Sequence, residues 1–110
     1  MKLNQKYVFH IPLFKYENGE LIRLDEKSIV DGILLKLSEY GYENLYITKA
    51  KGVYKKRCFD EILITLFVAS KSQDTPEVIF KKWFKENNTL LKQKELAYEY
   101  NNTLIIENLN

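Results

Sequence analysis

From Ile62 to Ala69 every position is apolar except Thr65, and the run is rich in β-branched and aromatic side chains. It is far shorter than the roughly 20 residues that cross a membrane, so it reads as a strand covered on both faces and the middle of a sheet. Its setting, Cys58 to Ser70, ends in the polar cluster Ser70-Lys71-Ser72-Gln73-Asp74, which suits a strand better than a helix. Lys6 to Tyr16 carries apolar side chains at nearly every position and is predicted to lie beside it, with a bulge or the end of pairing near Pro12. Glu17-Asn18-Gly19-Glu20 is a hairpin signal, so Leu21 to Leu24 folds back against the end of that first strand.

The period then changes from two to three or four. Asp25 is a natural N-cap, Glu26 suits the positive end of a helix, and Val30, Ile33, Leu34 and Leu37 share one face, with Ile29 and Tyr40 at its margins. Gly41 falls where a left-handed C′ residue closes the helix, and Gly32 weakens it unless backbone and neighbour approach closely. Asn44 to Lys51 reads as a lysine-bearing edge strand, and Gly52 to Arg57 as the connection into the central run. A second helix starts at Pro76, capped by Thr75 or Asp74, with Ile79, Phe80, Trp83 and Phe84 on its apolar face and a stop at Asn87-Asn88. Residues 90–95 fit either helix or loop. Leu96, Tyr98 and Tyr100 alternate like a half-buried strand, Asn101-Asn102 suits a tight turn, and Thr103 to Glu107 makes a last strand.

Strand, helix, strand, strand, helix, strand is the split βαβ order of the ferredoxin-like fold. The expectation is therefore one α+β domain over residues 1–110: a mostly antiparallel sheet, two helices on one face and an extra C-terminal hairpin. In that topology the first and third strands are central, and they are the two most continuously apolar stretches. The fold carries no activity with it.

Composition narrows function mainly by exclusion. With 17 basic and 15 acidic residues the net charge is +2, too small to imply a polyanion partner by itself. A single cysteine, Cys58, and no Cys/His cluster at ligand spacing point to a reducing compartment without structural zinc, and the cytoplasm is the default location. No secretory leader or membrane span is evident. The bias towards Lys, Asn, Ile and Tyr suggests an AT-rich coding sequence, as in a low-GC bacterium, an archaeon or a mobile element. GxGxxG, GxxxxGK, GxSxG, HExxH and CxxC are all missing, so no cofactor is implied.

Each candidate residue has a structural role to set beside the functional one. His10 is the only histidine and lies in an apolar strand, which favours a structural or partly exposed imidazole over a catalytic one. Cys58 follows three basic residues, which would lower a thiol pKa, but it lacks an assignable base. Asp60 and Glu61 point to opposite faces of a strand and do not form a carboxylate pair. Trp83 and Phe84 are adjacent large aromatics, of which one is expected at an interface. The best functional signal is the basic arm: Lys49, Lys51, Lys55, Lys56 and Arg57 around Tyr54, with Tyr46 beside them, a chemistry that grips phosphates and stacks bases. Tyr40 and Tyr42 extend the aromatic part of that surface. Edge protection by lysine explains part of the same pattern.

Three readings follow. The foremost is a non-enzymatic protein-binding module, an inhibitor from a mobile element, of the anti-CRISPR kind, or an adaptor. The second is a nucleic-acid binder through residues 49–57. The third is a small enzyme of the dimeric α/β-barrel sort, with its site in a cleft between sheet and helices and using His10 or a tyrosine. A protein partner ranks first, nucleic acid second, self-association as a homodimer is allowed, and no membrane is involved.

Overall fold

The computed structural model describes residues 2–69 and 75–109. Its elements are β1 (Gln5–Pro12), β2 (Phe14–Glu17), β3 (Glu20–Arg23), α1 (Glu26–Glu39), β4 (Leu45–Tyr54), β5 (Arg57–Val68), α2 (Pro76–Glu86), α3 (Asn88–Leu91), β6 (Glu95–Tyr100) and β7 (Thr103–Asn108). The main sheet runs β4-β5-β1-β6-β7, and every neighbouring pair is antiparallel. This is the split βαβ arrangement the pattern implies, with β1 and β5 inside and β7 as the added strand. The β2–β3 hairpin forms a small sheet of its own.

Pairing in β1 stops at Pro12, which has no N–H to give, and Leu13 turns the chain into the hairpin. The pairs Phe9↔Ile64 and Ile11↔Ile62 place four buried residues on one face of the sheet. Ile29, Ile33 and Leu37 of α1 and Ile79, Phe80, Trp83 and Phe84 of α2 close the same core. Phe9 and Phe80 stack at 4.4 Å between centroids, tying strand to helix. Each such side chain contributes about 1.5–3 kcal/mol on burial.

The helices cover only one face, and this corrects the expectation that β1 and β5 are covered on both. On the other face Val8 and Thr65, opposite one another, are nonetheless buried. Towards the edges Tyr46, Leu104 and Ile106 are half exposed or more. The buried stripe of α1 is Ile29, Ile33 and Leu37, so Ile29 is central and Leu34 marginal.

Turn chemistry behaves as expected where asparagine and glycine supply it: Asn18-Gly19 and Asn101-Asn102 all take positive φ. Gly41 closes α1 at φ +83°, with its N–H on Ser38 O and that of Tyr42 on Leu37 O, a Schellman motif. Asp25 precedes α1 without capping a backbone N–H; its carboxylate accepts from Ser28 Oγ at 2.8 Å. The arm departs from expectation. β4 continues through Gly52 to Tyr54, and the link to β5 is only Lys55-Lys56, both at positive φ. Residues 90–95 divide: Leu90 and Leu91 belong to α3, and strand resumes at Glu95.

Candidate active site

Antiparallel pairing brings the first residues of β1, the last of β5 and the last of β6 to one end of the sheet. There α2 begins, and between them lies a cavity of about 390 Å³, lined among the described residues by Gln5, Tyr7, Val68, Ala69, Thr75, Pro76, Glu77, Tyr98, Tyr100 and Ile105. Its size falls within the usual range for small-molecule sites. The expected polar cluster at residues 70–74, including the alternative cap Asp74, lies outside the described residues.

Three tyrosines from two strands form the aromatic wall. Tyr7 and Tyr100 are cross-strand partners with ring centroids 4.9 Å apart, and Tyr98 stands edge-on to Phe9 at 6.4 Å. Burial pushes the Tyr7 phenol well above its ordinary pKa, and a hydrogen bond donated to Glu77 reinforces the shift. Tyr7 is therefore a fixed donor at physiological pH and not a base. Glu77 stands in the first turn of α2, where the helix dipole favours an anion. Its Oε2 is buried with no hydrogen-bond partner. A buried carboxylate oxygen without a partner costs free energy in the empty protein, and a ligand that brings a donor or a positive charge would relieve it.

Tyr98 is also raised, mainly by burial, against the pull of Lys81. Lys81 Nζ sits 5.5 Å from the Tyr98 ring centroid and 2.7 Å from Glu107 Oε1. Burial disfavours its charge, but Glu107 and the ring more than offset this and hold the ammonium charged. The chemistry on offer is an aromatic wall for a planar base, a fixed phenol donor and a lining glutamate with one buried oxygen that lacks a hydrogen-bond partner.

The residues singled out in the basic arm lie elsewhere. Lys49 and Lys51 share a face of β4, but Lys49 Nζ is 3.0 Å from Glu26 Oε1 and Lys51 Nζ is 2.9 Å from Asp60 Oδ1. Arg57 donates to Tyr16 Oη at 3.0 Å. Lys55 and Lys56 form the hairpin tip, Tyr54 ends β4, and Tyr46 is on the open face with its ring 6.4 Å from Phe67. Cys58 is exposed near the start of β5.

His10 sits on the open face, away from the cavity, between Glu61 on β5 and Glu99 on β6, at 3.5 Å from Nδ1 and 2.7 Å from Nε2. Asp60 and Glu61 diverge as expected, Asp60 taking Lys51 and Arg23 while Glu61 turns to His10. Among the described residues no His/Cys/Asp/Glu group is arranged to hold a metal ion, and no helix is long and apolar enough to cross a membrane. Trp83 corrects another expectation: it and Phe84 are both buried, because α2 packs against α1 as well as against the sheet. Gly32 makes room, since a Cβ there would lie 3.4 Å from Trp83 Nε1.

Sequence reasoning treated Tyr7, Tyr98 and Tyr100 as strand residues and Glu77 as helix-end charge. The only local signal was Pro76-Glu77 at a helix start, and it says nothing about which strands end beside it.

No family model matches the chain, and no curated protein matches it in sequence. Two solved structures share its fold. A phage SAM lyase in complex with S-methyl-5′-thioadenosine aligns with TM-score 0.66 and 12% identity, over 94% of this chain and 88% of that one. A phage SAM lyase in the apo state aligns with TM-score 0.60 and 12% identity, over 96% and 90%. Both are enzymes. That finding overturns the reading of a non-enzymatic binding module, inhibitor or adaptor of the anti-CRISPR kind, and with it the nucleic-acid alternative. The physical reason is that catalytic motifs mark chemistries that need several side chains at fixed spacing, and their absence says little about reactions that need few.

Proposed function

We propose that the protein is an enzyme that binds an adenosyl sulfonium, S-adenosylmethionine or a close derivative, in the cavity at the start of α2 and cleaves it as a lyase. The observation that carries this reading is the buried, unpartnered Oε2 of Glu77 in a tyrosine-walled cavity. Support comes from the likeness to SAM lyases over nearly the whole chain. The rings of Tyr7, Tyr98 and Tyr100 suit a purine and, with the carboxylate, a sulfonium.

The chemistry asks little of the protein. As the bond between the sulfonium sulfur and the γ-carbon of the methionine chain breaks, its electron pair goes to sulfur and the γ-carbon bonds instead to the substrate's own α-carboxylate, closing a five-membered amino lactone; methylthioadenosine leaves as a neutral thioether, and no proton, water or protein nucleophile is consumed. The site has only to hold the nucleoside, keep water away and fix the conformation of the chain that departs. Tyr7, held protonated, supplies a donor that does not titrate in the working range.

The site assignment is checked by adding methylthioadenosine to protein with labelled tyrosine rings. Shifts at Tyr7, Tyr98 and Tyr100 larger than those at Tyr16 and Tyr46 are expected. Shifts confined to Tyr16 and Tyr46 would move the site elsewhere.

A further inference from the structure

We infer that the cavity is a charge filter: Glu77 selects the cationic sulfonium over the neutral thioether, and the Lys81–Glu107 ion pair keeps the neighbouring wall neutral so that this selection survives. The inference rests on the reading of an adenosyl sulfonium as ligand and adds how substrate is told from product.

Among the described residues lining the cavity, Glu77 is the only one with a charged side chain. One of its carboxylate oxygens is buried without a partner, and the residue that engages the carboxylate, Tyr7, is a neutral phenol. The site therefore carries a negative charge that no described lining cation answers. A sulfonium ligand neutralises it and a thioether does not. Substrate and product share the adenosine, so stacking on the tyrosines cannot separate them, whereas a fixed charge in a partly dry site can.

Among the described residues, Lys81 of α2 is a cation in contact with this wall. Its Nζ lies over the Tyr98 ring, 5.5 Å from the centroid, and its charge would oppose a cationic ligand in the cavity that Tyr98 lines. Glu107, from β7, meets it at 2.7 Å. The pair thus spans β7 and α2 across Tyr98 of β6, and its net charge is close to zero.

The same charge has a kinetic corollary. Positive charge leaves sulfur as the bond breaks, so a carboxylate beside it stabilises the bound sulfonium more than the transition state. Glu77 accordingly serves binding and product rejection, and its removal is expected to raise KM strongly while kcat holds or rises.

The test compares two unreactive probes that differ by one methyl group and one charge, methylthioadenosine and its S-methyl sulfonium (5′-deoxy-5′-dimethylsulfonioadenosine), by calorimetric titration. The wild type is expected to prefer the sulfonium, and Glu77→Gln to lose about tenfold of that preference. Neither Lys81 nor Glu107 lines the cavity, so the expected effect of their variants is electrostatic: Glu107→Gln weakens sulfonium binding by about two- to fivefold, Lys81→Met strengthens it by a similar factor, and thioether binding stays the same. Shifts of opposite sign in these two variants are not what a packing defect produces, since either would loosen Tyr98. Equal losses for both probes in Glu77→Gln would overturn the inference and make the carboxylate a ribose acceptor. Shifts of the same sign in the Lys81 and Glu107 variants would overturn it as well. Sulfonium selectivity without cleavage of S-adenosylmethionine would leave the filter standing and remove the lyase.

Discussion

The hydroxyl of Tyr7 donates to the carboxylate of Glu77, joining the start of β1 to the first turn of α2. The contact lies at the end of the core and involves two residues that both line the cavity. A structural function and a chemical one thus meet in one hydrogen bond, which connects an edge of the hydrophobic core to the ligand site.

Tyr7→Phe separates the two. It keeps the ring and removes the donor, so the buried carboxylate loses a protein partner. Urea unfolding is expected to show a loss of about 1–3 kcal/mol, the usual range for stranding a buried polar group. An unchanged midpoint would mean that water satisfies Glu77 as well as the phenol does.

The His10 bridge makes stability depend on pH. Glu61 and Glu99 favour the imidazolium more than partial burial opposes it, so its pKa in the folded protein lies above the ordinary value. A raised pKa means that the stabilisation is fully present below the unfolded value of about 6.5 and is lost as pH rises through the folded value. The wild type is therefore expected to lose on the order of 1 kcal/mol relative to His10→Gln between about pH 6 and pH 9. Parallel stability curves for the two proteins across that window would show that the bridge adds nothing.

Two contacts of α2 set the core. Phe80 is fully buried and stacked on Phe9, so Phe80→Ala is expected to cost about 3–5 kcal/mol in chemical denaturation. Gly32 gives the opposite sign. A methyl there meets Trp83 Nε1 at an ordinary contact distance of 3.4 Å, so Gly32→Ala keeps the packing and gains up to about 1 kcal/mol of helix propensity. A destabilised alanine variant with altered Trp83 fluorescence would mean that the indole cannot yield.

The tip of the β4–β5 hairpin holds two lysines at φ 49° and 66°, a conformation that asparagine and glycine adopt more readily. Replacing Lys55-Lys56 with Asn-Gly is expected to raise the thermal midpoint, by the equivalent of about 0.5–1 kcal/mol. A lower midpoint would show that the contacts of the lysines outweigh their backbone strain.

That hairpin illustrates what the sequence could and could not disclose. Alternation and run length were enough to place β1 and β5 in the middle of the sheet, because a strand with neighbours on both sides keeps apolar side chains even on the face no helix covers, as Val8 does. The Lys55-Lys56 turn was invisible, since nothing in lysine favours positive φ, and β4 was cut short at Gly52 as a result. The basic arm drew attention because charge clusters stand out locally. Its carboxylate partners are Glu26, far away in the chain, and Asp60, which only the β4–β5 register sets opposite Lys51. The cavity was beyond reach for the same kind of reason: Tyr7, Glu77 and Tyr98 meet only after three strand ends and a helix start are brought together. Its tyrosines each had a sufficient explanation as strand residues, and its glutamate as a helix-end charge.

The most direct measurement is to incubate the purified protein with S-adenosylmethionine and follow the products by liquid chromatography. Methylthioadenosine should accumulate with time and enzyme concentration, while Glu77→Gln shows a strongly raised KM with kcat held or raised. A wild-type protein that leaves S-adenosylmethionine intact, and does not bind it, would contradict the account.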